Sequence, residues 1–361
     1  MGHTLPILSQ PSAQASAQLH LPSSPLPPEL TTGSLIDSHG RIIRDLRLSI
    51  TDRCNFRCPY CLDKEVRFLP DGQRLSIDEL VRLASITVSL GVRKIRITGG
   101  EPTLHPELDE LISQLAQLDI DDLAMTTNGS RLDAARLTHL HTLGLRRLTF
   151  SIDSIDPQRY AQMTHSTTDV SRIIESIQLA TQAGFDPVRI NTVVIRGMNE
   201  DDIVPLAALA RDLGVEVRFI EFMPLDAGHQ WSRDRVVSGD AIIDAINVAY
   251  PLEPIGRDSV NSTSLRYRFA DGTPGGIGTI SPVTRAFCGA CSRLRITADG
   301  KVRPCLFSHH EWDVRAALRD GADDGQIIDI LRHATWAKQK GHGIGADTFV
   351  PPTRSMSAIG G

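Results

Sequence analysis

No stretch of the 361 residues approaches the run of about 20 apolar residues that a membrane-spanning helix needs. No sign of charge dominates either. A net charge of −5 gives no global electrostatic case for a nucleic-acid or membrane partner, so any polyanionic ligand must be held by arginines gathered locally. Cysteine is scarce: six in so long a chain are too few for a disulfide framework. They fall into two groups of three, which points to metal chemistry in a reducing, cytoplasmic compartment. No strand-like run is followed by the glycine fingerprint of a dinucleotide fold. Residues 1–34 lack both the basic start of a secretory signal and the arginines of a transit peptide. Rich in Pro, Ser, Ala and Gln, with Glu29 the only charged side chain, they are expected to be a disordered N-terminal extension.

What is present suits a soluble globular protein of one large or two moderate domains: 41% hydrophobic and 22% charged residues. From residue 45 a β–α alternation sets in. Strand-like runs are 45–50, 93–99, 122–128, 146–153, 187–195 and 216–223; helix-like stretches between them include 76–91, 105–118, 169–184 and 200–214. Ser76 and Glu79 form a capping-box signature, and Gly91 is a C-terminal stop. Six such units in series predict an α/β fold, an incomplete (β/α)6 TIM-type barrel with parallel strands and right-handed crossovers.

Alternate strand residues point to opposite faces. Leu46, Leu48 and Ile50 oppose Arg47, Ser49 and Thr51; Ile95 and Ile97 oppose Arg96 and Thr98. Leu148, Phe150 and Ile152 oppose Arg147, Thr149, Ser151 and Asp153. Val188 and Ile190 oppose Arg189 and Asn191, and Val217 and Phe219 oppose Arg218. Helices must cover the apolar faces, so the polar faces look inward. Unpaired buried arginines are costly. Internal carboxylates such as Asp153 could pair with them, or the lumen awaits an anionic ligand.

The first cysteine group is "CNFRCPYC", with Cys54, Cys58 and Cys61. A 4Fe–4S cubane held by three thiolates keeps one iron without a protein ligand, an open coordination position. Spacing alone also admits zinc with a distant fourth ligand, or buried thiols. The second group, Cys288, Cys291 and Cys305, has a C-x2-C-x13-C pattern that His309 or His310 could close as a zinc site.

The C-x3-C-x2-C motif with an aromatic residue before its third cysteine, followed by "TGGEP" (98–102), resembles the radical S-adenosylmethionine (SAM) superfamily. More closely, "IRDLRLSITDRCNFRCPYC", "VRKIRITGGEPTL", "TTNG", "RRLTFSID", "VRFIEFMPL", the second triad with "SRLR" and the terminal "IGG" occur in one order. Over about residues 35–361 they resemble the GTP 3′,8-cyclase (MoaA) family of molybdenum-cofactor biosynthesis. The resemblance implies a radical SAM partial barrel over 35–223 and a C-terminal domain over 224–361 with a second cluster and a Gly-Gly tail.

It implies two 4Fe–4S clusters on the two triads, with SAM chelating the open iron of the first and guanine binding at the second. Tyr60, Gly100, Ser151 and Met223 map onto SAM-binding positions. Arg47, Arg96, Thr126, Arg189, Arg293, Leu294 and Arg295 map onto GTP-binding positions, with Arg189 where the family commonly has Lys. Arg293, Arg295, Gly360 and Gly361 map onto catalytic positions, the tail reaching toward the active site. The implied chemistry is reductive cleavage of SAM to a 5′-deoxyadenosyl radical, removal of the ribose 3′ hydrogen, and ring closure onto C8 of guanine. No general acid or base is required, and no isolated His–carboxylate pair suggests one. Implied partners are a reductase such as flavodoxin with its own reductase, the next pathway enzyme (cyclic pyranopterin monophosphate synthase) and a second copy of the chain. The alternatives are a two-cluster radical SAM enzyme acting on another substrate such as a peptide, and a zinc-binding scaffold without turnover.

Overall fold

The computed structural model describes Pro27 and residues 32–360 other than 64 and 227. Most of the N-terminal extension, and Gly361, therefore lie outside the described residues.

The β–α alternation builds β1 (Asp45–Ser49), α1 (Ile77–Ser89), β2 (Lys94–Thr98), α2 (Leu108–Leu115), β3 (Asp122–Thr127), α3 (Ala134–Thr142) and β4 (Arg147–Ser151). It continues through α4 (Pro157–Thr164), α5 (Val170–Gln182), β5 (Val188–Val194), α6 (Ile203–Leu213) and β6 (Glu216–Glu221). The capping box at Ser76 forms as expected: the Ser76 hydroxyl accepts from the Glu79 amide, and the Glu79 carboxylate accepts from the Ser76 amide. Gly91 follows the helix with φ +95°, the left-handed region that a residue without Cβ enters freely.

The remainder of the chain adds α7 (Gly239–Ala249), β7 (Leu252–Gly256), β8 (Leu265–Phe269), β9 (Gly276–Ile280), β10 (Arg293–Ile296), β11 (Lys301–Arg303), β12 (Trp312–Asp313), α8 (Val314–Arg319) and α9 (Asp324–Trp336). These strands join the same sheet. Its order is β12-β11-β10-β1-β2-β3-β4-β5-β6-β9-β8-β7, and β10 and β9 pair parallel with β1 and β6. The six-unit part-barrel is thus widened by one parallel strand on each side, with antiparallel strands beyond. It stays open, since β12 and β7 are edges.

Strand parity holds. Leu46, Leu48, Ile95, Ile97, Leu148, Phe150, Ile190, Val217 and Phe219 are all buried in one apolar core with the faces of α1, α2 and α5. The opposite faces, carrying Arg47, Arg96, Ser151, Asn191 and Arg218, line a single cavity. Its interior is not the Val/Ile/Leu fill of a closed eight-stranded barrel.

Candidate active site

The first triad occupies the loop that leaves β1. Cys58 closes a turn by accepting at its carbonyl from the amides of Cys61 (2.9 Å) and Leu62 (3.0 Å). Arg57 donates to the carbonyls of Cys54 (2.8 Å) and Phe56 (2.9 Å). The end of β2 packs directly on this loop. Amides of Gly100 and Glu101 donate to the carbonyls of Thr51 (2.7 Å) and Arg53 (2.8 Å). A Cβ at Gly100 would stand 2.3 Å from the Arg53 carbonyl oxygen, so the glycine is required by the cysteine loop itself as well as lining the cavity. Glu101, fully buried, accepts from the amides of Thr103 (3.0 Å) and Asn128 (2.7 Å) and the hydroxyl of Thr127 (2.7 Å), tying the ends of β2 and β3 together.

All three thiols of this triad lie in surroundings hostile to charge. Burial pushes Cys54 up to about 11 and Cys61 up to about 12, with neighbouring acidic groups and thiols adding to it. Cys58 is raised well above the ordinary thiol range by burial, Asp153 and its sister cysteines. Tyr60 donates its hydroxyl to Asp153 Oδ2 at 2.6 Å, and the Val193 amide donates to Oδ1 at 2.8 Å. Burial nevertheless pushes the Asp153 carboxyl up to about 6. Asp153 does not neutralise the barrel arginines, as pairing of internal carboxylates would have it; it holds Tyr60 instead.

The second triad stands at the other end of the strands. Arg293 on β10 lies beside Asp45 at the start of β1, and Arg295 beside Arg47. Cys288 and Cys291 precede β10, and antiparallel β11 returns the chain to Cys305 at that same end. Burial still raises the Cys288 thiol, but at Cys291 the electrostatics reverse. Burial alone would raise the Cys291 thiol, but Arg293 and Lys338 outweigh it and hold it at about 6. Arg293 donates from Nε and Nη2 to Cys291 Sγ at 3.4 and 3.3 Å and lies over the Phe287 ring.

Both triads line one cavity, and arginines occupy the space between. Burial, then mutual repulsion, holds Arg47 well below the usual guanidinium range; Arg295, Arg96 and Arg293 are its like-charged neighbours. Arg96 is lowered to about 10 and Arg295 to about 10, each chiefly by burial and then by another arginine. Arg218 is lowered to about 9 by burial and Arg189. Arg96 is held by the hydroxyls of Thr126 (3.2 Å) and Thr149 (3.1 Å), and Arg295 donates to the Gly360 carbonyl (2.7 Å). Arg295, buried, and Arg47, Arg96 and Arg218, half-buried, converge on the cavity with Glu216 beside Arg218 the one carboxylate among the described residues paired with them, a set suited to a polyanion.

The structure gathers Tyr60, Gly100, Ser151, Met223, Arg47, Arg96, Thr126, Arg293, Arg295 and all six cysteines around this cavity. Arg189 and Leu294 are not among its lining residues. Arg189 is drawn to Glu216 (3.3 Å) and Asp258 (3.7 Å), while Leu294 turns its side chain into the core beside Leu46. Arg218 lines the cavity in turn; strand parity gave its inward direction, though the resemblance did not assign it to GTP. Gly360 has φ +65°, and a Cβ there would stand 2.7 Å from Thr98 Oγ1 and 3.0 Å from Ser49 Cβ, so the tail packs closely on the paired ends of β1 and β2. Gly361 lies outside the described residues. Sequence reading missed Lys338, Asn128 and His342, which also line the cavity.

The donor sets fit the groups that the motif implies. Each triad offers free thiols on a cavity wall. Among the described residues no three His, Cys, Asp or Glu side chains converge tightly enough to share one ion, so neither triad has the geometry of a closed mononuclear zinc site. His309 donates to or accepts from none of the cysteines; its Nε2 meets the Val350 carbonyl at 3.0 Å, and neither it nor His310 lines the cavity. Three thiols and an open approach suit an iron–sulfur cubane with a free iron.

A three-thiol loop sealed by a glycine-rich strand end, in an open parallel barrel, defines the class: a radical SAM enzyme. Residues 48–210 match the Radical SAM superfamily and residues 215–344 match Molybdenum Cofactor Synthesis C. The fold is similar to Streptococcus suis SuiB bound to S-adenosylmethionine (TM-score 0.58, 13% identity, 80% of this chain and 69% of that one). It is also similar to native anSMEcpe with bound AdoMet (TM-score 0.53, 14% identity, 83% and 82%). Relatives in sequence include GTP 3′,8-cyclase of Corynebacterium glutamicum strain R, 43% identical over 347 residues, covering 93% of this chain and 92% of that protein. GTP 3′,8-cyclase of Streptomyces coelicolor is 42% identical over 330 residues, with 91% and 96% covered. The chain belongs to the GTP 3′,8-cyclase family.

Proposed function

We propose that the chain converts GTP to (8S)-3′,8-cyclo-7,8-dihydroguanosine 5′-triphosphate, the first step of molybdenum-cofactor biosynthesis. One observation carries the reading: a single cavity has a cysteine triad at each end and a cluster of half-buried to buried arginines between them. A cofactor on one triad and a triphosphate nucleotide anchored toward the other would be brought face to face.

Cys54, Cys58 and Cys61 hold the first 4Fe–4S cluster, with Tyr60, Gly100, Ser151 and Met223 around SAM. Bound there, the pair supplies a one-electron cleavage of the sulfonium that yields a hydrogen-abstracting radical. The chain's own residues decide what that radical meets. Glu101 and Asp153 give the SAM end its negative character, suited to a ligand with a sulfonium and an ammonium. Arg47, Arg96, Arg293 and Arg295 neutralise the triphosphate, and Thr126 orients Arg96 through its hydroxyl. Leu294 contributes backbone only. Arg189 acts from behind, through Glu216 and the neighbouring Arg218, because its guanidinium is already engaged. Cys288, Cys291 and Cys305 hold a second cluster in the C-terminal domain, residues 224–361, where the base docks. Gly360 closes the lumen against water, its carbonyl steadying Arg295.

An enzyme of this class needs an external one-electron donor of the flavodoxin type, hands its product to cyclic pyranopterin monophosphate synthase, and works in the cytoplasm, as a homodimer. No helix among the described residues is long and apolar enough to cross a membrane. Anaerobic incubation with GTP, SAM and a reductant tests the reading. GTP-dependent formation of the cyclised nucleotide with matching 5′-deoxyadenosine is expected; SAM cleavage that leaves GTP unchanged would overturn it.

A further inference from the structure

Lys338 follows the end of α9 and is 2% exposed. Its ammonium donates to the carbonyl of Arg293 (2.8 Å) and to the carbonyl of Pro304. Those carbonyls belong to the residue two beyond Cys291 and the residue just before Cys305. One side chain therefore ties together the two chain segments that present the second triad.

Arg41 grips the same region from the far side. It donates to the carbonyls of Cys288 (2.7 Å), Lys340 (3.0 Å) and Gln339 (2.7 Å). Arg41 has its own counter-ion, Asp37, at 2.5 Å. Lys338 has none: among the described residues no carboxylate stands within ion-pair distance of it. The groups that attract its charge are Cys291 and Cys305, while Arg293 and Arg41 repel it. A buried cation without an anion is strongly disfavoured. The arrangement becomes favourable when the thiols are thiolates carrying a negatively charged cluster.

We propose that Lys338 is a positioning residue for the second triad, clamping its two segments and supplying the positive charge against which a cluster is held and reduced. The proposal rests on the iron–sulfur reading of that triad. Charge near a cluster is one of the settings of its potential: a neighbouring cation favours the reduced, more negative form. A purely structural clamp would hold the loop without moving that potential.

The test uses the full chain, reconstituted anaerobically, with iron and sulfide counts and a redox titration followed by electron paramagnetic resonance. The wild type is measured first. About eight irons are expected; about four, with no second signal, removes the iron–sulfur reading and this proposal with it. Given eight, Lys338→Met is expected to shift the second cluster's reduction equilibrium at least tenfold toward the oxidised form, about 59 mV for one electron. The first cluster is expected to stay unmoved, and Lys338→Arg to stay within threefold of wild type. An unchanged second-cluster equilibrium in Lys338→Met overturns the proposal while leaving the cluster reading intact. Where Lys338→Met fails to retain the second cluster, retention by Lys338→Arg supports a charge-dependent clamp, and its loss in both variants overturns it.

Discussion

The two cysteine triads share one cavity, yet Cys291 of the second sits in an electrostatic setting opposite to that of the first triad. The first is enclosed by apolar and acidic groups, so burial and Asp153 push Cys58 and Cys61 up. In the second, burial still raises Cys288, but Arg293 and Lys338 hold Cys291 at about 6. Each setting matches the charge of the ligand proposed for that end: SAM is a net cation, the nucleotide triphosphate a polyanion. The difference teaches that two similar cysteine patterns can be set apart by what surrounds them rather than by their spacing.

Removing one thiol from each end gives the sharpest contrast. Cys58→Ser is expected to abolish SAM cleavage, read as loss of 5′-deoxyadenosine. Cys291→Ser is expected to retain measurable SAM cleavage while cyclisation stops. Equal loss at both steps for both variants would erase the functional asymmetry. A smaller effect follows from the arginine cluster. Arg47→Met removes a half-buried cation crowded by Arg295, Arg96 and Arg293. GTP affinity is expected to fall about 10–100-fold, the loss of a charged hydrogen bond or two. The unliganded chain should at the same time gain thermal stability through relief of repulsion. Calorimetry on the same sample reads both; unchanged GTP binding would detach Arg47 from the substrate.

The smallest effect concerns the acidic end. Asp153 titrates at about 6 when folded against about 3.9 when unfolded, because burial disfavours its charge. The fold thus prefers the protonated carboxyl: its stabilising contribution is full below about pH 4 and is lost as pH rises through about 6. In the cluster-free chain Asp153→Asn is expected to flatten the fall in stability between those limits. Denaturation midpoints at pH 4, 5, 6 and 7 measure the slope, and an unaltered slope would assign it elsewhere.

Much of this was legible in the sequence because it is local. Period-two alternation sent Arg47, Arg96 and Arg218 inward, and the cysteine spacing with the glycine-rich strand end marked the first site. What escaped was long-range. β9, "GIGTI", carries no strong strand signal, and its pairing with β6 crosses the β7–β8 hairpin. Lys338 and Arg41 act on carbonyls tens to hundreds of residues away, which no spacing reveals. Arg189 faces inward as alternation required, yet register sets it beside Glu216. A signal existed: Glu216 shares the inward face of β6 with Arg218, two residues on.

The most direct measurement is the metal content of protein isolated without oxygen. The account predicts about eight irons with matching acid-labile sulfide per chain, two cubanes on two triads. Two zincs and no sulfide would contradict it.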